Sequence, residues 1–414
     1  MKYDNIIIGG GLAGMTCGIA LQKAGQRTAV IAAGQSTLHF SSGSIDLLGY
    51  TEDGKTVDNP IEAASGLSAG HPYHRVTDLE QKAQRAAELL ADAGLKMNGE
   101  LHRNHFRFSP MGVLKPTWLT PDGMFTTSET GQFRWKSVAL ISLRGFLDIP
   151  TEFLADNLKK MGVEVERREV STPALDVVRR SPSEMRSTNL AKALDNDERV
   201  EALAEAVNAL EVKSDLLLLP AVLGFRNQKR ASQLRTSIKK ESRFVVTMPP
   251  TVPGVCLQSM LNRRFTDLGG TLFQSDTVKG GTFSVNRLES VVTENLSDEV
   301  LQARNFVLCT GSFQSRGIMS NYQGVYEPIF HLDVDAAADR SQWVADYFFD
   351  DQPYMKFGVR TDEQLHPLLN GKSVENLWAA GSVLSGHNPV KLADRGGVDM
   401  MTALQTVEYI LARR

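Results

Sequence analysis

The sequence predicts an α/β protein in which a domain built on a central parallel sheet is divided by an inserted α+β unit. Three observations predict it. Short apolar strands that run into glycine turns recur at both ends of the chain, at residues 6–14, 306–311 and 377–382, and the middle lacks that device. From about 101 to 140 the texture changes, with Phe106, Phe108, Trp118, Phe125, Phe133 and Trp135 separated by Pro and Gly turns, which reads as an antiparallel sheet. A chain of 414 residues also exceeds one ordinary core. The expected boundaries are 1–75 with 251–414 for the discontinuous parallel-sheet domain and 76–250 for the insert.

The run from Asp4 to Ile8 is apolar and ends in Gly9-Gly10-Gly11-Leu12-Ala13-Gly14, after which Met15 to Lys23 reads as a helix. Strand, glycine turn and helix stand in the order of a dinucleotide fingerprint. Gly9 turns the chain out of the strand, Gly11 lets the backbone approach a phosphate, and Gly14 lets the helix lie against the sheet. Leu12 and Ala13 complete this loop at the positive end of the helix dipole. Arg27 to Ile31 gives the second strand. Where the fingerprint calls for an acid to accept from adenosine ribose hydroxyls, the chain has Ala32 and Ala33.

The stretch from Gln35 to Ser44 is rich in small and hydroxyl residues, so Ser41, Ser42 and Gly43 are candidates to donate to a ligand, with His39 its one ionisable group. A plain surface loop is the other reading. Thr77 to Ala93 reads as an amphipathic helix stopped by Gly94, with further helices at 148–161 and 198–211 and an apolar strand at Leu216–Leu219. Between Arg226 and Arg243, seven basic residues stand with the single acid Glu241. They suit a phosphorylated substrate, an acidic partner subunit or an anionic lipid surface, or simply a solvated helix face. From Thr251 the opening pattern returns: a helix over 255–267, a strand from Thr271, a buried strand ending at Thr310-Gly311, and another ending at Gly381-Ser382. Gly396-Gly397 then leads into a helix from about Val398 to Leu411.

Composition narrows the function classes. With 42% hydrophobic and 22% charged residues the chain is of the ordinary soluble globular class, and a net charge of -3 argues against a broad nucleic-acid surface. Cys17, Cys256 and Cys309 form no C-x-x-C pair, which excludes a four-cysteine iron–sulfur or zinc site within this chain and fits a reducing compartment. No metal site is expected. Asp4 interrupts the apolar amino terminus and Lys2 is its single positive charge, so no signal peptide is read there, nor any spanning helix elsewhere. A cytoplasmic protein is expected.

Together, the three strand-to-glycine turns resemble the two-dinucleotide-binding flavoproteins, which implies a Rossmann-like flavin-binding domain with an inserted α+β substrate or cap domain. Gly9, Gly11 and Gly14 match the phosphate loop and Thr310-Gly311 the second motif. Gly381 matches the turn beneath the ribityl chain, which usually continues with Asp or Glu but here with Ser382. Gly396 and Gly397 would aim the last helix at the flavin pyrimidine edge, with Arg395 adding charge.

The segments IIIGGGLAGMTCGIALQKAG, STLHFSSGSIDLLG and LWAAGSVLSGHNPVKLADRGGVDMMTAL are similar, more closely, to the B-subunit family of anaerobic glycerol-3-phosphate dehydrogenases, over essentially the whole chain. That resemblance implies a flavin subunit associated with FMN. Its partners would be an FAD-containing A subunit and an iron–sulfur C subunit that ties the complex to the cytoplasmic side of the inner membrane. The complex would oxidise sn-glycerol 3-phosphate to dihydroxyacetone phosphate and send electrons to quinone, with fumarate or nitrate as final acceptors. FMN has no adenosine and so suits Ala32 and Ala33; FAD is the alternative. A cysteine-poor chain without a spanning helix would hand its electrons to clusters and an anchor in other chains.

Alcohol oxidation needs a base for the hydroxyl proton, for which His387 and then His39 are the candidates. Arg144, Arg395 or the 226–243 cluster could hold a phosphate. The alternative is a non-catalytic electron-relay or scaffold subunit, which Ala32, Ala33 and Ser382 favour; an NAD-linked dehydrogenase is disfavoured by the missing acid and the later turns.

Overall fold

In the computed structural model, which describes residues 1–128, 133–296 and 299–413, the chain forms two compact units. The first comprises Met1–Thr37, Ile45–Leu95 and Gln258–Arg414, and the second Leu38–Ser44 and Lys96–Leu257.

The sheet of the first unit runs Thr271–Gln274, Thr28–Ala32, Lys2–Ile8, Leu301–Leu308, Arg287–Thr293 and Val278–Ser284, with Leu377–Ala379 pairing the far half of Leu301–Leu308. Five of these strands are parallel; the hairpin over 278–293 is antiparallel and joins only the near half of Leu301–Leu308, at Ser290 and Val291. Ile6, Ile7, Val30, Phe306, Val307 and Trp378 are fully buried. Runs of consecutive buried residues are what a parallel sheet covered on both faces requires. Parallel pairing also needs a crossover, which the helix Leu12–Lys23 provides between the first two strands. Because Lys2–Ile8, Leu301–Leu308 and Leu377–Ala379 are adjacent and point the same way, their three glycine turns stand side by side at the carboxyl edge.

Two helices close over that edge. Leu12–Lys23 packs along the last helix, Arg395–Ala412, where the Cys17 thiol donates to Ala403 O at 3.5 Å. Gly18 permits its approach to the sheet: a Cβ there would lie 3.0 Å from the Phe265 ring and 3.2 Å from Val30.

The helix Leu79–Asp92, which the sequence places in the insert, belongs to this first unit. Polar links hold it there. Buried Lys82 pairs with Glu408 at 3.0 Å, and Thr77 N donates to Gln405 Oε1 at 2.8 Å. Its periodicity marked a helix, but periodicity does not say which sheet a helix covers.

In the second unit a four-stranded parallel sheet, ordered Ser242–Val245, Leu216–Pro220, Ser137–Leu143 and Glu164–Val170, is flanked by helices that include Thr151–Lys160 and Asp197–Asn208. The expected antiparallel sheet is smaller than 101–140: His105–Phe108 lies between Leu114–Thr117 and Thr126–Thr127. Residues 129–132 of that stretch lie outside the described residues. Ser137–Leu143 leaves it for the parallel sheet, because Val138, Ala139, Leu140 and Ile141 are all buried and need cover on both faces. Among the described residues no helix is long and apolar enough to cross a membrane.

Gly14 is among the tightest points of the first unit, since a Cβ there would lie 1.9 Å from Gly9 O. Gly14→Ala is expected to cost about 2–3 kcal/mol, read as a lower urea midpoint.

Candidate functional site

Glycine at 9 and 14 is explained by the chain itself. Gly9 has φ +117°, and a Cβ on it would meet Cys309 O at 2.1 Å. Gly11 differs, because a Cβ there would meet only Ser36 Cβ, at 3.9 Å. Above Gly11 the helix Leu12–Lys23 has no side-chain cap and no acid in its first turn, which leaves the N–H groups of Leu12 and Ala13 to an anion. On the neighbouring strand the Thr310 hydroxyl is buried without a partner, and Gly311, at φ +77°, makes room for Ser315, whose hydroxyl donates to Thr310 O at 2.7 Å. An open cradle with an orphaned hydroxyl beside it fits a phosphate-bearing cofactor. At the end of Thr28–Ala32, Gln258 Nε2 donates to Gly10 O at 2.9 Å and its Oε1 accepts from Ser36, so a neutral amide adjoins the cradle where a carboxylate is usual.

The Gly381 turn, at φ +81°, is clasped between the two helices: a Cβ there would lie 2.6 Å from Asp399 Oδ1 and 2.7 Å from Ala13 Cβ. Gly381 N donates to Thr402 Oγ1 at 2.8 Å, and Ser382 donates to Asp399 Oδ1 from its N at 2.8 Å and its hydroxyl at 2.9 Å. The carboxylate missing from position 382 therefore arrives from the last helix. Burial raises the Asp399 carboxyl above its ordinary range, against the charge of Arg395.

Gly396 and Gly397 do not precede the last helix but lie in its first turn. Both are explained by packing within the chain. A Cβ on Gly396 would be 2.9 Å from Ile45 Cγ2, one on Gly397 would be 2.0 Å from the Tyr73 hydroxyl, and Gly397 N donates to Asp46 O.

Just ahead of that helix sits a buried cluster. Asp394, fully buried, accepts from His71 Nε2 at 2.8 Å and from His387 Nδ1 at 3.3 Å. Because Tyr73 N donates to His71 Nδ1, the proton of His71 is fixed on Nε2. Against its burial, the attraction of His387 and the hydrogen bonds from both imidazoles hold the Asp394 carboxyl well below the ordinary range, while burial lowers the pKa of His71. His387 thus points a protonated Nδ1 at a carboxylate, and among the described residues nothing is bonded to its Nε2. One donor atom from each of the three lies within 4.8 Å of the others, but the committed Nδ1 of His71 leaves its Nε2 no lone pair for a cation.

Ser41, Ser42, Gly43 and His39 belong to the second unit, where the Ser41 hydroxyl donates to Leu38 O and accepts from Gly43 N, and the Ser42 hydroxyl accepts from Ser44 N. Among the described residues no hydrogen bond orients the His39 ring, whose pKa burial lowers. Arg144 pairs with Glu169, and three of the seven basic residues of the 226–243 run are paired locally, Arg230 with Asp197, Arg235 with Asp122 and Arg243 with Glu241. Half-buried Arg395 has no hydrogen bond or ion pair among the described residues.

The FAD binding domain family matches residues 4–397. The B subunit of anaerobic glycerol-3-phosphate dehydrogenase from Yersinia enterocolitica is 38% identical over 418 residues, covering 100% of this chain and 99% of its own; that of Yersinia pseudotuberculosis gives the same figures. Its counterpart in Pectobacterium atrosepticum is 36% identical over 416 residues, covering 99% of each. The chain belongs to the B-subunit family of anaerobic glycerol-3-phosphate dehydrogenases. As a member it is a flavoprotein oxidoreductase subunit of a multi-subunit complex.

Within this family member, the structure brings Gly9–Gly14, Thr310-Gly311, Gly381-Ser382 and His387 into one unit, and adds His71, Asp394 and Asp399, which the sequence alone does not flag. Asp399 had a signal, standing one helical turn after Arg395. His71 and Asp394 are 323 residues apart, so no local spacing shows their pairing.

Gly11→Val is expected to abolish flavin retention while leaving the urea-unfolding free energy of the stripped protein within about 0.5 kcal/mol of wild type; undiminished flavin absorbance would refute the cradle. A pH dependence of stability also follows. His71, His39 and His366 all have pKa values lowered by burial, so the unfolded chain takes up protons first. Their contribution is full above about pH 6.5 and falls as the pH drops through that value; Asp394 adds a further loss below about pH 4. His71→Gln should shrink the loss between about pH 7 and 5 in thermal-shift scans.

Proposed function

We propose that this subunit carries the flavin at which sn-glycerol 3-phosphate is oxidised to dihydroxyacetone phosphate, in a complex that passes the electrons towards quinone and finally fumarate or nitrate. The observation that supports it most is His387, with one ring nitrogen tied to an ionised carboxylate and the other unbonded. Bound flavin supplies the hydride acceptor. His387 Nε2 takes the proton of the substrate's secondary hydroxyl as the hydride leaves the same carbon. Asp394 fixes the tautomer and balances the imidazolium that results, and His71 holds the other oxygen of Asp394 in place. Arg395, unpaired at the start of a helix, binds the substrate phosphate.

The flavin is FAD in the first instance, as the family description favours. The sequence-based preference for FMN rests on the family resemblance and on Ala32 and Ala33, and chromatography of the heat-released flavin distinguishes the two cofactors. An A subunit and an iron–sulfur C subunit would complete the complex at the cytoplasmic face of the inner membrane. A relay role keeps one support, the 2% exposure of His387.

In the complex, His387→Asn is expected to lower kcat by about 10²–10⁴ with flavin retained, and Arg395→Met to raise KM for glycerol 3-phosphate more than it lowers kcat. Glycerol 3-phosphate should bleach the flavin of the isolated subunit under anaerobic conditions. Bleaching that requires the partner subunit would support the relay reading instead.

A further inference from the structure

Among the described residues one run of three consecutive aromatic side chains is exposed: Tyr347 at 74%, Phe348 at 86% and Phe349 at 95%. Together they offer on the order of 500 Å² to water. A patch of that size on a soluble chain is usually a contact surface.

The loop that carries them is held in shape by its own polar groups. Gln352 Oε1 accepts from Ala345 N at 3.0 Å while its Nε2 donates to Tyr347 O at 2.8 Å. Trp343 Nε1 donates to Ala337 O at 2.7 Å, and Tyr354 N to Trp343 O at 3.0 Å. The loop is also fastened to the flavin unit: Asp351 accepts from Asn388 at 3.0 Å and pairs with Lys356 at 3.0 Å and Lys391 at 3.4 Å, and the Tyr354 ring stands edge-on to Phe313 at 6.1 Å. Its hydrogen bonds are turned inward and its rings outward, so little ordering cost remains for docking.

Charge selects the occupant. Exposed Asp346 and Asp350 flank the aromatic run, and neither has an ion pair among the described residues. An anionic lipid surface would be repelled by that rim. An apolar pocket edged with Lys or Arg would be complementary to it. We infer that the Tyr347–Phe349 loop docks into an apolar, basic-rimmed pocket on a neighbouring subunit of the same complex. This rests on the chain being one subunit among several. The Asp351–Asn388 bond places the docked loop against the residue next to His387.

The test is co-purification of this chain with a tagged partner subunit after expression of the whole complex. Phe348→Ser with Phe349→Ser, and separately Asp346→Lys with Asp350→Lys, should each reduce the recovered chain at least tenfold, with flavin content and thermal midpoint of the isolated subunit unchanged. Wild-type association should weaken with added salt. Recovery of either double variant at the wild-type level would overturn the proposal. So would wild-type binding to phosphatidylglycerol vesicles that the serine variant loses, or a wild-type homodimer that it dissolves. Failure of the wild type itself to co-purify would instead sink the subunit reading, and the docking site with it.

Discussion

The site depends on a close approach of backbones that only glycine permits. At the carboxyl edge of the first sheet the Gly9 turn touches the end of the Leu301–Leu308 strand through Cys309 O, Gly14 brings the first helix onto Gly9 O, and Gly381 is gripped between Ala13 and Asp399. Each contact leaves less room than one methyl group needs. Three strand ends and two helix starts are thereby drawn together, with a cradle left open only above Gly11.

A second constraint is electrostatic. Burying Asp394 as an anion is costly unless both its oxygens are bonded, and two imidazoles do this from opposite sides. In the proposed oxidation the same arrangement would set the chemistry, because a carboxylate kept ionised by His71 orients His387 and would balance its charge. Asp399, further along the last helix, fixes the Gly381-Ser382 turn through the N–H and the hydroxyl of Ser382. The last helix is therefore as much a part of the site as the glycine loop.

Where polar groups are satisfied, the chain has also decided what is left exposed. The 343–356 loop satisfies its hydrogen bonds through Gln352 and Asp351 and leaves its aromatic rings to solvent. Such a surface is tolerated when a partner covers it.

The parallel-sheet domain, its three glycine turns and the glycine loop read as a phosphate cradle were legible in the residues, because strand, turn and helix signals are local and the residues that make them are neighbours. The sequence also singled out His387, through its place in the last of those segments. Tertiary structure alone decided which helix covers which sheet, so that Leu79–Asp92 joined the first unit, and which carboxylate serves Ser382. It paired His71 with Asp394 across more than three-quarters of the chain, and it assigned Gly396 and Gly397 to the packing of Ile45 and Tyr73. It grouped Ser41, Ser42, Gly43 and His39 with the second unit. The physical reason is common to all of these: periodicity and turn chemistry are written in neighbouring residues, whereas burial, charge pairing and steric contact are settled by residues that meet only after folding.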